Sequence, residues 1–184
     1  MLLSPSYWAI NLMQPFVVTA PYLSAYATPA KAAKAMAYAQ SLIVSPLLKR
    51  GIKSWGGLRA AMNRMEAEKA FTVMEDVEAR IREQEGADSP LLKMLTDLKR
   101  ESIIDLSFIA ELRNVAEGEA QGLWSKVMDA SRVMAHLTEV NNRIMTAVAA
   151  YNLAIEQGQP HENAVDFAKK TVVETQFDYS AANK

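Results

Sequence analysis

The chain has 184 residues, half of them hydrophobic, which is enough for one domain with a substantial core. It contains no cysteine, which excludes disulfides and thiolate metal sites, and its two isolated histidines argue against a histidine-built metal site. The formal net charge of −1 conceals a strong asymmetry along the chain.

This asymmetry becomes visible when the chain is divided at Glu66, its first acidic residue. Residues 1–65 carry 7 basic residues and no acidic one, a balance of +7. Residues 66–184 hold 13 basic and 21 acidic residues, a balance of −8. A cationic and apolar segment of this kind suits anionic lipid, nucleic acid or an acidic protein surface.

The composition predicts an all-α fold, because glycines are few, good helix formers dominate and the alternation typical of strands is hard to find. We expect an elongated multi-helix bundle with one long heptad-patterned helix. It should comprise an apolar, cationic, proline-broken helical segment at residues 1–53 and a helical bundle at residues 54–184.

The first thirty residues contain no charged side chain, and their prolines are Pro5, Pro15, Pro21 and Pro29. Ser4-Pro5 is typical of an N-cap followed by proline at the first helical position. A helix is expected from about Pro5 towards Met13, with interruptions near Pro15 and Pro21, because each proline removes a backbone donor.

Several roles are open to this apolar stretch. A secretory signal would need a basic n-region and an unbroken apolar core, and the sequence has neither. A membrane span needs about twenty apolar residues in continuous helix. Asn11, Gln14 and the prolines make it a poor autonomous span, although its aromatic ends and basic flank suit interfacial or protein-assisted insertion. Core packing is the default, but it does not explain the missing acidic residues.

The predicted interface with a membrane or a protein partner combines aromatic and basic side chains of the first segment. Its members are Tyr7, Trp8, Phe16, Tyr22, Lys31, Lys34, Lys49, Arg50 and Lys53. We expect the aromatic rings to lie against other protein and the basic groups to stay accessible, because a free apolar helix of this composition would aggregate in water.

Prolines and glycines mark the remaining helices. The expected helices run from Pro29 to about Val44, from about Leu58 to Glu85, from Pro90 to about Glu117, from about Glu119 to Glu156 and from Pro160 to about Gln176. The first should end before Pro46, and Gly86 and Gly158 should end two of the others. Residues 177–184 should form a non-helical tail.

The longest expected helix carries a heptad seam, a row of positions spaced alternately four and three residues apart. The seam consists of Leu123, Val127, Ala130, Met134, Leu137, Asn141, Ile144, Val148, Tyr151 and Ile155. A lone polar residue in a seam, here Asn141, fixes register and partner at a cost in stability. The seam packs either on the helix predicted before Gly86 or on a helix of a larger assembly.

No motif of known catalytic chemistry occurs, since the sequence has no Gly-x-Gly-x-x-Gly, no Walker loop and no His-Glu-x-x-His. His136 lies three residues before Glu139, but a solvated helix face explains that spacing, and capping or exposure explains His161. We interpret a polar network of Glu139, Asn142 and Arg143 as structural. Accordingly we expect no catalytic residue, no metal and no cofactor.

Four short motifs occur near the two ends of the chain. They are Ser4-Pro5-Ser6-Tyr7, Gln14-Pro15, Glu139 with Asn142-Arg143, and the ending from Thr175-Gln176 to Asn183. Together they resemble a helical module of the large polyvalent proteins of bacteriophages and related mobile elements. Those chains include internal virion proteins that leave the capsid with the DNA. The charged middle, roughly residues 55–120, is generic.

This resemblance implies a non-enzymatic structural segment of an internal virion (ejection-type) protein, and one that belongs to a longer chain. It would reside in the virion interior, enter the host cell during infection and contact other virion proteins or copies of itself. The alternatives are a membrane-active helical module that uses residues 1–53 and an accessory scaffold domain of a large phage enzyme. Nucleic acid is a weaker candidate partner, because the basic residues form no recognised binding fold.

Overall fold

A computed structural model describes residues 13–51, 68–104 and 123–176, with side-chain positions for residues 13–43, 74–104 and 138–176. All regular elements within these ranges are helical, which confirms the all-α prediction. The helices are α1 (Ala20–Tyr26), α2 (Pro29–Gly51), α3 (Glu68–Glu85), α4 (Pro90–Arg100), α5 (Leu123–Glu156) and α6 (His161–Thr175). A π-helical turn, Pro15–Thr19, leads into α1.

Helix α5 is the centre of the fold. Helices α2 and α6 pack along it, and the π-helical turn, α3 and α4 also contact it. Residues 144–151 of α5 are all buried, so this part of the helix is enclosed on every side and not only along one stripe. Small side chains such as Ala147 and Ala150 allow the neighbouring helices to approach closely.

A hydrophobic core joins the described parts of the two predicted segments. Leu23 of α1 and Leu42 of α2 belong to the same buried cluster as Ile81 of α3, Leu95 of α4 and Leu153 of α5. Each of these five side chains has no exposed surface. The N-terminal helices therefore contribute to the core that the later helices build.

The backbone stays helical through two prolines that were expected to interrupt it. Pro15 begins the π-helical turn, and Pro21 lies in the first turn of α1. Proline is tolerated in a first helical turn, and here the backbone N–H of Ala20 bonds to the carbonyl of Pro15 in the wider π register. The predicted breaks at Pro15 and Pro21 are wrong, because the helix changes type there without ending.

The predicted end of α2 before Pro46 is also wrong, since α2 continues to Gly51. A proline inside a helix removes one backbone hydrogen bond and crowds the carbonyl four residues earlier, at a cost of about 3 kcal/mol, which tertiary packing can offset. The packed face of α2 consists of Ala32, Ala35, Met36, Ala39, Leu42 and Ile43.

Glycines end α3 and α5 as predicted. Gly86 has φ +92° and Gly158 has φ +80°, a left-handed conformation that closes a helix without strain only for glycine. Helix α6 lies within one residue of its predicted bounds at each end. The predicted starts near Pro5, Leu58 and Glu119 and the tail lie outside the described residues.

Helix α4 is shorter than predicted, because it ends at Arg100 and not near Glu117. Ser102 takes a left-handed conformation at φ 57°, and the N–H of Ile103 returns to the carbonyl of Leu98 at 3.0 Å. Ile104 then enters the core. No glycine or proline marks this end, so the sequence pattern missed it.

Candidate functional site

Four polar side chains from distant parts of the chain meet in the core. We call this group the threonine–glutamine cluster, and its members are Thr19, Thr146, Thr175 and Gln176. All four are buried, and they come from the π-helical turn, from α5 and from the end of α6. The cluster therefore joins the first and the last described elements to the central helix.

Hydrogen bonds connect every member of the cluster. Gln176 Nε2 donates to Thr146 Oγ1 at 2.9 Å and to Thr19 Oγ1 at 3.2 Å, and the two threonine oxygens lie 3.0 Å apart. The hydroxyl of Thr175 donates to the carbonyl of Thr171 at 2.7 Å. Thr175 Oγ1 therefore accepts a hydrogen bond from Thr19 Oγ1 at 3.3 Å. Buried polar groups satisfied in this way fix one arrangement of the surrounding helices.

The π-helical turn supplies Thr19, the member of this cluster that lies farthest from the others in sequence. Pro15, Thr19 and Leu23 are its buried face together with α1. Gln14, just before the turn, donates from Nε2 to the carbonyl of Thr175 at 3.4 Å. Carbonyls in the last turn of a helix have no partner within the helix, so Gln14 supplies one for α6.

A second polar group lies where α2, the α3–α4 turn, α5 and the start of α6 approach one another. Tyr38 Oη donates to Glu85 Oε1 at 2.6 Å, and Ser89 Oγ donates to Glu85 Oε2 at 2.6 Å. Tyr151 Oη lies 2.9 Å from His161 Nδ1, with the two rings edge to face. We call these five residues the tyrosine–glutamate cluster.

The electrostatics of the tyrosine–glutamate cluster keep its phenols protonated. Burial, the hydrogen bond to Glu85 and the charge of Glu85 raise the pKa of Tyr38 above its usual value. Burial and the charge of Glu85 likewise raise the pKa of Tyr151. Ser89 caps α4 by accepting the N–H of Leu91 at 3.1 Å. Tyr38 and Ser89 thus both donate to Glu85, and Ser89 also caps α4.

The predicted network beside the seam contains an ion pair within α5, and its arginine also bonds to the segment that follows α4. Arg143 Nη2 donates to Glu139 Oε1 at 2.6 Å, and Nη1 donates to the carbonyl of Ile103 at 3.0 Å. Asn142 is buried beside them. Two buried polar atoms here, Arg143 Nε and Asn141 Oδ1, have no hydrogen-bond partner among the described residues.

The structure places four members of the predicted interface. Tyr22 is half-buried and donates to Glu174 Oε2 at 2.5 Å, a bond that, with burial, raises the pKa of Tyr22 to about 12. Phe16 and Lys31 are exposed, and exposed Lys34 forms a 2.6 Å ion pair with Glu156. Tyr7, Trp8, Lys53 and the side chains of Lys49 and Arg50 lie outside the described residues.

Only the second half of the predicted seam falls within the described side chains. Ile144, Val148 and Tyr151 are buried, Asn141 is half-buried, and Ile155 is 41% exposed. The side chains of Leu123, Val127, Ala130, Met134, Leu137 and also His136 lie outside. Pairing of α5 through a heptad seam therefore stays a prediction.

Sequence reasoning missed both polar clusters. In the sequence, Gln14, Thr175 and Gln176 stand out only as motif residues, and Thr19 and Thr146 are separated by 127 positions. No spacing rule connects hydroxyl groups that far apart.

Comparisons with protein-family models, curated proteins and solved structures give no match. Within the described ranges, no group of three or more histidine, aspartate or glutamate side chains is placed to hold a metal ion. In the same part of the chain, none of the helices has both the length and the apolar character that crossing a bilayer requires.

Proposed function

We propose that the chain is a non-enzymatic structural segment of a phage internal virion protein, which assembles with copies of itself or with other virion proteins and assists DNA delivery into the host. The observation that carries this proposal is the contact between the two ends of the described chain. Gln14 bonds to Thr175, and Gln176 bonds to Thr19. Three of these four residues belong to the motifs on which the resemblance rests.

Other motif residues are likewise engaged in holding the fold together. Glu139 and Arg143 pair with each other, and Arg143 also holds the end of α4 through Ile103. Motif residues that serve internal hydrogen bonds fit a module whose task is to keep a shape. A catalyst would instead direct such groups towards a substrate.

Self-assembly is supported by Asn141, the polar member of the seam. Its Oδ1 atom is buried and has no partner in the described part of the chain, and a buried acceptor in that state raises the free energy of the folded chain. A donor from a second helix would satisfy it. In coiled coils, a single asparagine at a seam position selects the partner in this way.

The test is to follow the protein in particles of the phage or element that encodes it. An epitope tag on the chain should be detected by immunoblot in purified, DNA-filled particles. It should be depleted from particles that have released their DNA, whereas the major capsid protein stays. Absence of the tagged protein from filled particles would contradict the proposal.

A membrane-active module is the second candidate, and it is favoured by exposed apolar side chains in the acid-free segment. Met13, Phe16 and Val17 are 53%, 37% and 65% exposed. Apolar groups beside basic ones can bind the surface of an anionic bilayer without spanning it.

Vesicle flotation of the whole chain tests this candidate. Binding to anionic vesicles at low salt should be lost when Lys31, Lys34, Lys49, Arg50 and Lys53 are changed to glutamine. Neutral vesicles serve as the control. If the unmodified chain does not float with anionic vesicles, the membrane role is wrong.

A further inference from the structure

Residues 13–26 form a strap that packs on α2, α5 and α6. The strap contains the π-helical turn and α1, and its buried residues are Pro15, Thr19 and Leu23. Met13 and Val17 are more than half exposed. The buried face of the strap is therefore narrow, and one of its three residues, Thr19, is polar.

Much of the docking of the strap depends on side-chain hydrogen bonds. Thr19 enters the threonine–glutamine cluster, and Tyr22 donates to Glu174. Gln159 Nε2 donates to Tyr26 Oη at 2.8 Å, and the ring of Tyr26 stacks on Phe167 at 4.0 Å between centroids. Polar groups that separate can bond to water instead, so opening this interface costs less than exposing an apolar one of equal area.

A two-residue junction connects the strap to α2. Ala27 leaves helical geometry at φ −130° and ψ −139°. Thr28 precedes Pro29, and a residue before proline disfavours the helical conformation. Rotation at Ala27 can therefore move the strap away from α2, while Thr28, whose Oγ1 accepts the N–H of Lys31 at 3.3 Å, stays at the start of α2.

Helix α6 is attached to α5 differently. Its buried positions include Ala164, Val165, Ala168 and Val172, which form an apolar face. Regions with few buried apolar contacts open before regions with many. The strap should consequently open at a lower free energy than α6.

We propose that the strap is a latch: it undocks from α2, α5 and α6 by rotation at Ala27 while the other helices stay folded, and the threonine–glutamine cluster is its lock. Undocking exposes Thr146, Thr175 and Gln176 to solvent. The latch follows from the contacts alone and does not depend on the virion role.

Native-state hydrogen exchange of the whole chain tests the latch directly. Amides of residues 16–26 should exchange at least about tenfold faster than those of residues 144–154, which corresponds to roughly 1.4 kcal/mol in opening free energy. Equal exchange of the two groups would overturn the proposal, because the strap would then open only with the core.

An engineered disulfide between the strap and α5 can hold the strap in its docked position. The chain has no cysteine, so T19C/T146C introduces one pair of thiols at positions whose Oγ1 atoms lie 3.0 Å apart. Oxidation should slow exchange of the strap amides to the rate of residues 144–154, and reduction should restore it. Unchanged strap exchange in the oxidised protein would also overturn the proposal.

A matched pair of valine substitutions tests the lock without a new bond. Thr146→Val removes a hydroxyl that contacts Thr19 and Gln176, and it should speed strap exchange by roughly tenfold. Thr171→Val removes a buried hydroxyl that bonds only within α6, to the carbonyl of Phe167, and should leave strap exchange unchanged. Equal effects of the two variants would contradict the assignment of the lock.

Discussion

Tyr38 and Glu85 join α2 to the end of α3 through a 2.6 Å hydrogen bond from phenol to carboxylate. The second carboxylate oxygen accepts from Ser89, the residue that caps α4. One side chain, Glu85, thus links three helices.

Glu85→Gln should lower the pKa of both Tyr38 and Tyr151, because the negative charge of Glu85 raises both. Burial remains, so neither pKa should fall below the ordinary tyrosine value. Absorbance of the phenolate, followed during a pH titration, measures the change. Glu83→Gln, on the same helix, is the control, and a shift of equal size in that variant would contradict the assignment to Glu85.

Tyr22 should make stability depend on alkaline pH. Its pKa is raised from 10.0 to about 12 in the folded chain, chiefly by the hydrogen bond to Glu174. The neutral phenol is therefore favoured by folding. This contribution is complete below pH 10 and is lost as the pH rises from 10 towards about 12. Urea unfolding of Tyr22→Phe should show a shallower decline over that range. A decline as steep as in the unmodified chain would exclude this role.

Arg143→Met should lower the free energy of unfolding by about 1–3 kcal/mol, because the carbonyl of Ile103 and the carboxylate of Glu139 lose a donor in a mostly buried site. Arg82→Met breaks an ion pair of the same sequence spacing with Glu78, but the Arg82 side chain is 53% exposed. That change should cost at most about 1 kcal/mol. Chemical denaturation measures the free energy of unfolding of both variants. Equal losses would contradict the larger contribution to stability that we assign to Arg143.

Asn141→Leu should raise the melting temperature and broaden the oligomeric state, since Oδ1 of Asn141 is buried and has no partner within residues 13–51, 68–104 and 123–176. Asn142→Leu is the neighbouring control, and it should lower stability because Asn142 is buried and engaged in interactions. Thermal melts and light scattering after size-exclusion chromatography give both readouts. Lower stability of Asn141→Leu with unchanged oligomerisation would count against the pairing role.

Ser102→Gly should stabilise the chain by up to about 1 kcal/mol, because a left-handed conformation is strained for serine and free for glycine. Gly158→Ala should have the opposite effect, with a loss of about 1–2 kcal/mol, although a Cβ there meets no atom within 4 Å. In both variants the backbone conformation, and not the space for a side chain, decides whether stability rises or falls. Denaturant midpoints test them, and a destabilised Ser102→Gly would show that the strain is compensated elsewhere.

Local signals predicted the helix ends that have a chemical cause in the adjacent residues. Gly86 and Gly158 adopt the left-handed conformation, and Ser89 accepts the N–H of Leu91 just as an N-cap residue should. Such signals need no information from the rest of the chain, so a sequence pattern contains them in full.

Features that depend on tertiary packing were not accessible in the same way. Helix α2 passes through Pro46, and α4 ends at Arg100 although neither glycine nor proline follows directly. The meeting of Thr19 with Thr146 requires the register of two helices that are far apart in sequence. All-round burial of residues 144–151 of α5 likewise depends on where the neighbouring helices lie.

The strap runs antiparallel to α6, because Gln14 lies beside Thr175 whereas Tyr26 lies beside Phe167 and Gln159. Residues 13 and 176 consequently lie at the same end of the molecule. A pulling force applied between these two points would load the contacts one after another, beginning at Gln14 and Thr175. The strap would then detach at low force, because its contacts break one at a time. A force applied parallel to the axis of α6 would load the same contacts simultaneously and would need to be larger.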